Sequence, residues 1–160
     1  MAIFRRFEVL RAGRVEAAGE RLEVLVNNAG VVSAGAPSTA ASLVSVLTTN
    51  VVGALGITGP TRLLLKRAVD FHGRRPKLVF SSSNMGPITH VADPASPYYR
   101  RNATEYRISR TSLSVLMVMY AARLKPDGSL VLGTEPADEG ERFASVVRGD
   151  KVVGAGIVLG

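Results

Sequence analysis

The chain has 160 residues, 46% hydrophobic and 21% charged, which suits one soluble globular domain burying roughly 70% of its unfolded surface. It contains no cysteine and only His72 and His90 as histidines; this excludes disulfides, a thiolate nucleophile and a Cys-based metal site, and it argues against a His-rich one. The net charge of +7 is spread over pairs such as Arg5-Arg6, Lys66-Arg67, Arg74-Arg75 and Arg100-Arg101 without interleaved aromatics, so it reads as solvated surface charge and not as a nucleic-acid face.

The opening "MAIFRRFEVLRAGR" lacks the apolar core of a secretory signal, and its arginines suit a solvated helix face better than an organellar transit peptide. No apolar run nears the ~18 residues of a membrane span, and "LSVLMVMYAA" (113–122) is too short. The expectation is a cytoplasmic protein with neither membrane nor nucleic-acid partner.

Residues 5–21 can form a short basic helix. "LEVLVNNAG" (22–30) is a β-rich apolar run stopped by Asn-Asn-Ala-Gly, the pattern of a buried parallel strand (22–29) and its exit turn. A helical region follows over 42–72. Gly53, Gly56 and Gly59 each cost it roughly 1 kcal/mol relative to alanine, and Pro60 roughly 3. Pro60 also removes the bond to the Gly56 carbonyl, which predicts a kink.

"KLVFSSS" (77–83) is a second buried strand, and 84–102, broken by Gly86, Pro87, Pro94 and Pro97, is a loop. Asn102, with Glu105 three residues on, forms a variant capping box for the next helix (103–125). That helix has apolar residues nearly all round: Leu113, Leu116, Met117, Tyr120 and Leu124 on one stripe, Val115, Val118 and Met119 opposite. It is expected to be buried on all sides. "SLVLGT" (129–134) is a third strand after the turn Pro126-Asp127-Gly128; 135–149 is an amphipathic helix and 151–159 a last strand. Strands alternating with helices predict an α/β domain with a parallel sheet of about four strands (22–29, 77–83, 129–134, 151–159).

Tyr106 and Arg110, in "YRISR", sit four residues apart and so share one helix face. A tyrosine, with an ordinary pKa of ~10, is a poor base at neutral pH unless a nearby cation favours its phenolate. An always-charged arginine can supply part of that electrostatic help.

The ordered set "NNAG" (27–30), "TNVVG" (49–53), "VFSSS" (79–83) and "YRISR" (106–110) resembles the short-chain dehydrogenases/reductases, from about residue 22 to the C-terminus. The resemblance implies a partial Rossmann fold, with residues 1–160 forming a single incomplete NAD(P)-binding domain. It implies hydride transfer between NADP or NAD and a small-molecule carbonyl or alcohol. By position, Asn28, Ala29 and Gly30 match the turn that lines the cofactor's adenosine and ribose. Asn50 matches the helix asparagine that holds a water in the proton relay. Ser83, with Ser81 and Ser82 as alternatives, matches the serine that bonds the substrate oxygen. Tyr106 matches the catalytic acid/base. Arg110 stands where the family has a lysine that also grips the nicotinamide ribose and opens a proton path to solvent. A guanidinium is bulkier, planar and never deprotonated, so this exchange is not conservative.

Two departures from the family pattern are larger. No strand–Thr-Gly-x-x-x-Gly-x-Gly–helix precedes Leu22, so the segment whose amides and helix N-terminus hold the pyrophosphate is lacking, along with the sheet's first strands. The Pro-Gly turn and substrate loop expected after the third strand are lacking too. The strand at 22–29 is left with an apolar edge, which predicts self-association. The long stretch 84–102 is similar to that of carbonyl-reductase-like members, where such an insertion covers a helix face and disfavours dimers. Tyr98 and Tyr99 either line a substrate lid or simply pack the loop. Together these features predict an oxidoreductase impaired in this chain; the alternative is a non-catalytic binding or regulatory protein on the same scaffold.

Overall fold

The computed structural model describes residues 21–33, 37–72, 75–99, 102–134 and 158–159. Its centre is a sheet in the order β1 (Val24–Asn27), β2 (Lys77–Ser81), β3 (Leu130–Thr134) and β4 (Val158–Leu159). The first three strands run parallel: Val24 stands opposite Lys77, and Lys77 opposite Leu130. β4 pairs antiparallel with β3, Val131 against Leu159, which corrects the expectation of four parallel strands. Parallel neighbours need a crossover of a dozen or more residues. Here these are the helical run 40–72 between β1 and β2, and α4 (Thr104–Leu124) between β2 and β3. The predicted elements at 5–21 and 135–149, and most of 151–159, lie outside the described residues.

Strand alternation assigns the two faces. Leu78 and Phe80 of β2 and Val131 of β3 point to one side, where Ala54, Leu65, Leu113, Met117, Tyr120 and Leu124 of the helices complete the main core. Val79 and Leu132 form a smaller cluster on the opposite face, with Val24, Val26 and Leu130 partly buried against it. Each fully buried Leu, Val or Phe contributes about 1.5–3 kcal/mol relative to exposure.

The helical run consists of α1 (Ala40–Leu47), a π-helical turn (Thr48–Val52) and α2 (Gly53–His72). Thr39 starts α1 with a capping box: its side chain accepts from the Ser42 amide while the Ser42 hydroxyl accepts from the Thr39 amide. The helix continues through Pro60. The departure from regular geometry falls instead at Thr48–Val52, where one wide turn carries Asn50 inward; π-turns inside α-helices mark functional sites often enough to single out this one. The span Ala40–Val69 is long and apolar enough, by length and composition, to cross a membrane. This corrects the expectation that no run approaches that size: residues 40–61, though interrupted by Ser, Thr and Asn, carry no charged side chain. In the folded chain its residues Val46, Ala54, Leu64, Leu65 and Ala68 are buried.

Two local expectations change at α4. Its N-cap is Ala103, in left-handed geometry (φ 91°, ψ 48°) and without a side-chain cap, so Asn102 does not cap it. Glu105 accepts from Ser42 of α1 instead. The helix is also not buried all round: Leu113, Met117, Tyr120 and Leu124 face the core, whereas Ile108, Val115, Val118 and Met119 are exposed. The stretch 84–102 is not purely loop, since it contains α3 (Ile88–Ala92).

Candidate functional site

β1 ends by burying Asn27, whose Nδ2 donates to the hydroxyl of fully buried Thr58 on α2 at 3.0 Å. This bond ties the strand end to the helix that follows it. Asn28, Ala29 and Gly30 then emerge into solvent. Next in line, Val31 is gripped at both backbone groups by Asn50: its amide donates to Asn50 Oδ1 at 2.8 Å, and its carbonyl accepts from Nδ2 at 3.0 Å. The second Nδ2 hydrogen goes to Ser109 Oγ at 2.9 Å, and Ser109 donates to the Tyr106 carbonyl at 2.7 Å. Asn50 therefore joins the π-turn, the β1 exit and the first turns of α4. Its side-chain donors are both in use, so it acts here as a clamp on the site's frame.

Tyr106 is half-buried and its ring lies against Arg110, with Cζ of the guanidinium 4.7 Å from the ring centroid. The i, i+4 spacing thus brings the phenol and the cation together as the helix period requires. Arg110 is 5% exposed. Its Nη1 donates to the Ser81 carbonyl at the end of β2 at 2.8 Å, and Nη2 occupies the space a Gly30 Cβ would need, 2.3 Å from that position. Only a residue without a side chain admits the guanidinium at that turn. Arg110 consequently holds the ends of β1 and β2 against α4.

Ser83 sits two residues beyond β2 and is half-buried; its Oγ accepts from the Met85 amide at 3.2 Å and its carbonyl from Gly86 N. Ser81 is within β2 and buried, while Ser82 is partly exposed and donates its amide to the Thr134 carbonyl. Gly86 then presses onto α4: a Cβ there would lie 3.0 Å from Arg110 Cβ and 3.1 Å from its carbonyl carbon. Thr111 Oγ1 donates to the Gly86 carbonyl. The loop is pinned again where Arg107 Nη1 donates to the Tyr98 carbonyl at 2.7 Å. Tyr98 meets His90 edge-on at 5.6 Å, and His90 Nδ1 is 3.3 Å from Ser96 Oγ. Tyr98 is thus engaged in loop packing.

Glu105 anchors the start of α4 from the other side. It is 3% exposed, and the Ser42 hydroxyl, 2.6 Å from Oε1, holds its carboxyl below the usual 4.5, assisted by a backbone bond and by Ser38 and Ser33 against the opposing effect of burial. Asp127 is likewise lowered by the hydrogen bond from Arg62 and, less, by Lys66. Burial raises Tyr120 above 10, opposed by Arg123 and Arg62.

Sequence reading identified Asn50, Tyr106, Arg110 and Gly30, which the fold joins through direct contacts or single intermediaries. It placed Ser83 on the adjoining turn, and Asn28 and Ala29 on the open face. It missed Ser109, Asn27 and the Ser42–Glu105 bond. All four residues between Ile108 and Leu113 are polar, so nothing local singled out Ser109, and nothing local marked Ser42 as a partner sixty-three residues from Glu105. Among the described residues no group of three or more His, Asp or Glu could hold a metal ion.

No protein-family model matches the sequence, and no curated protein does. Solved structures do match. The Sniffer protein of Caenorhabditis elegans superposes with a TM-score of 0.71 at 24% identity, over 88% of this chain and 64% of that one. The NADPH-bound carbonyl reductase from chicken fatty liver gives 0.62 at 21%, over 81% and 51%. A short-chain dehydrogenase from Streptomyces avermitilis gives 0.62 at 25%, over 82% and 44%. The chain therefore spans less than two thirds of the length of each of these structures. Their likeness agrees with the four motifs: three parallel strands joined by two helical crossovers, one of them the Tyr106 helix, make this chain an α/β, partial Rossmann fold of the type those structures share.

Proposed function

We propose that the chain is an NAD(P)(H)-dependent oxidoreductase of the short-chain dehydrogenase/reductase kind, interconverting carbonyls and alcohols, with its turnover impaired by Arg110. The observation that carries this reading is the Tyr106 ring stacked 4.7 Å from the Arg110 guanidinium carbon beside the ends of β1 and β2. In open α/β sheets, ligands bind beyond the carboxyl ends of the strands. Support also comes from the chicken carbonyl reductase, which binds NADPH and shares the fold.

The cofactor fits the described residues only in part. Asn28–Gly30 offers an exposed turn for its adenosine and ribose. Among the described residues no glycine-rich strand–turn–helix supplies pyrophosphate amides, and Arg110 fills the gap at Gly30. We derive no step through the dinucleotide. When bound, it would supply or accept the hydride.

The chain's own groups have definable tasks. Tyr106 donates its phenolic proton to the substrate oxygen as negative charge gathers there. Ser83, whose Oγ accepts from Met85 N, keeps its hydroxyl hydrogen for the same oxygen. Arg110 sets a fixed positive charge against the ring that loses the proton, but it offers no group that can itself pass a proton to solvent. Asn50 and Ser109 keep the Tyr106 turn in place.

NADPH absorbance against a broad ketone panel tests this reading. The chain is joined to a segment bearing a family-type glycine loop, and Arg110→Lys in that context is expected to raise turnover. Tyr106→Phe is expected to abolish the gain. Failure of the joined Arg110→Lys protein to oxidise NADPH with any ketone favours the non-catalytic reading, which the burial of Arg110 against Ser81 and Gly30 already recommends.

A further inference from the structure

Two hydroxyls can serve one substrate oxygen only if the fold fixes their separation, and Tyr106 and Ser83 stand on different elements. Tyr106 is carried by α4, a helix of 21 residues. Ser83 lies two residues past β2, outside any helix or strand. Locally its turn closes on itself: the Gly86 amide donates to the Ser83 carbonyl at 3.0 Å, and the Met85 amide to Ser83 Oγ at 3.2 Å. Those two bonds shape the turn but do not place it against α4.

Placement comes from Gly86. It is buried, and a Cβ there would lie 3.0 Å from Arg110 Cβ and 3.2 Å from the Thr111 amide nitrogen, so its backbone rests directly on the helix. Its carbonyl accepts from Thr111 Oγ1, whose single hydrogen has the Arg107 carbonyl, at 3.0 Å, as a second and more distant acceptor. On the strand side, the Ser82 amide donates to the Thr134 carbonyl of β3 at 2.6 Å. Ser83 is therefore strung between β3 and Thr111. Thr111 follows Tyr106 by five residues, about 7.5 Å along the same helix axis.

We infer that Thr111 is a positioning residue: its bond to the Gly86 carbonyl sets the Ser83 hydroxyl at the separation from Tyr106 that one substrate oxygen requires. The inference rests on the reductase reading for the identity of that oxygen, and on the hydrogen bonds above for the placement. Small displacements matter here, since an error of about 1 Å in a reacting group can cost about a hundredfold in rate. Helix stability does not account for the contact. Threonine is a poorer helix former than alanine, and this hydroxyl serves a carbonyl outside its own helix.

Amide hydrogen exchange of the 160-residue chain, read by NMR, tests the placement without cofactor or turnover. Thr111→Val keeps the shape of the side chain and removes the donor. Exchange at Met85 and Gly86, whose amides bond Ser83, is expected to accelerate about tenfold more than exchange in β2 and β3, and Thr111→Ser is expected to keep it slow. Should Thr111→Val fold poorly, Thr111→Ala removes the same donor with a better helix former. Uniform acceleration over turn and sheet, or fast exchange in Thr111→Ser, would each overturn the inference. In the joined Arg110→Lys protein, Thr111→Val is expected to lower kcat about tenfold or more. It is expected to change nothing once Ser83→Ala is also present, since a residue acting through Ser83 has no other route to the substrate. Equal losses in the two backgrounds overturn the inference as well. A joined protein without any turnover counts against the reductase reading alone, and the exchange pattern still decides the role of Thr111.

Discussion

Asn50 and Arg110 lie in the same part of the molecule, 1% and 5% exposed, and the fold satisfies them to opposite degrees. Asn50 spends both donors and its acceptor on Val31 and Ser109. The Arg110 side chain makes one hydrogen bond and one ring contact, and it lies close to both Gly30 and Gly86. A neutral amide with its bonds made rigidifies its surroundings at little cost, whereas a buried cation with a sealed, unpartnered Nε lowers the stability of the place it occupies. The contrast separates the frame of the site from its reactive edge, and substitution can press on it from either side.

The largest effect is expected at Asn50. Asn50→Ala removes the partner of both backbone groups of Val31 and the donor to the Ser109 oxygen, and should cost roughly 2–4 kcal/mol. Urea unfolding that showed less than about 1 kcal/mol would remove Asn50 from the frame.

The glycines on either side of Arg110 should then behave differently. A Gly86 Cβ meets Arg110 Cβ at 3.0 Å and helix backbone at 3.1 and 3.2 Å, atoms that cannot retreat, so Gly86→Ala should destabilise by about 1–3 kcal/mol. A Gly30 Cβ meets the far end of a flexible side chain. Gly30→Ala should therefore move the guanidinium for less than about 1 kcal/mol. Equal losses of thermal stability in the two variants would mean that Arg110 is held as rigidly as Asn50.

Ala103 offers a smaller change of opposite sign. Its φ of 91° is left-handed, a conformation costing a non-glycine residue roughly 1–2 kcal/mol. Glycine regains that but loses more chain entropy on folding, so Ala103→Gly should raise stability by no more than about 1 kcal/mol. A fall in the melting temperature would count against that backbone geometry.

The gentlest test uses pH. The folded Glu105 carboxyl is held below 4.5 by Ser42. Its contribution is therefore complete above the unfolded value and is lost as pH falls through the folded one. Between about pH 5 and pH 3 the parent should lose more stability than Glu105→Gln does. Parallel curves would show that the Ser42 bond does not favour the ionised form.

Much of this was legible along the chain. Leu78 to Phe80 form an apolar run that only a covered strand can bury, and Tyr106 and Arg110 are four apart on a helix, so their contact follows from the helical period. The Asn-Asn-Ala-Gly stop after β1 announced an exposed turn, and Gly30 gained its particular meaning only when a guanidinium arrived from eighty residues away.

Local pattern failed where a distant partner outbid a near one. Asn102 and Glu105 have capping-box spacing, yet Ser42 captures Glu105 and leaves Ala103 at the helix start. The apolar circumference of α4 suggested burial on all sides, but one stripe suffices to cover the sheet, and Val115, Val118 and Met119 stay exposed. Pro60 marked the expected irregularity, while the wide turn formed at Thr48–Val52, where Asn50 must reach Val31 and Ser109 together. The sequence by itself determined the strand–helix alternation, the three parallel strands and the Tyr106–Arg110 pair, because helix and strand periods act over a few residues. Tertiary structure alone decided the antiparallel β4, the Asn50 clamp and the burial of Arg110 Nε without a partner, because each depends on which groups the fold brings together and which it leaves unpaired.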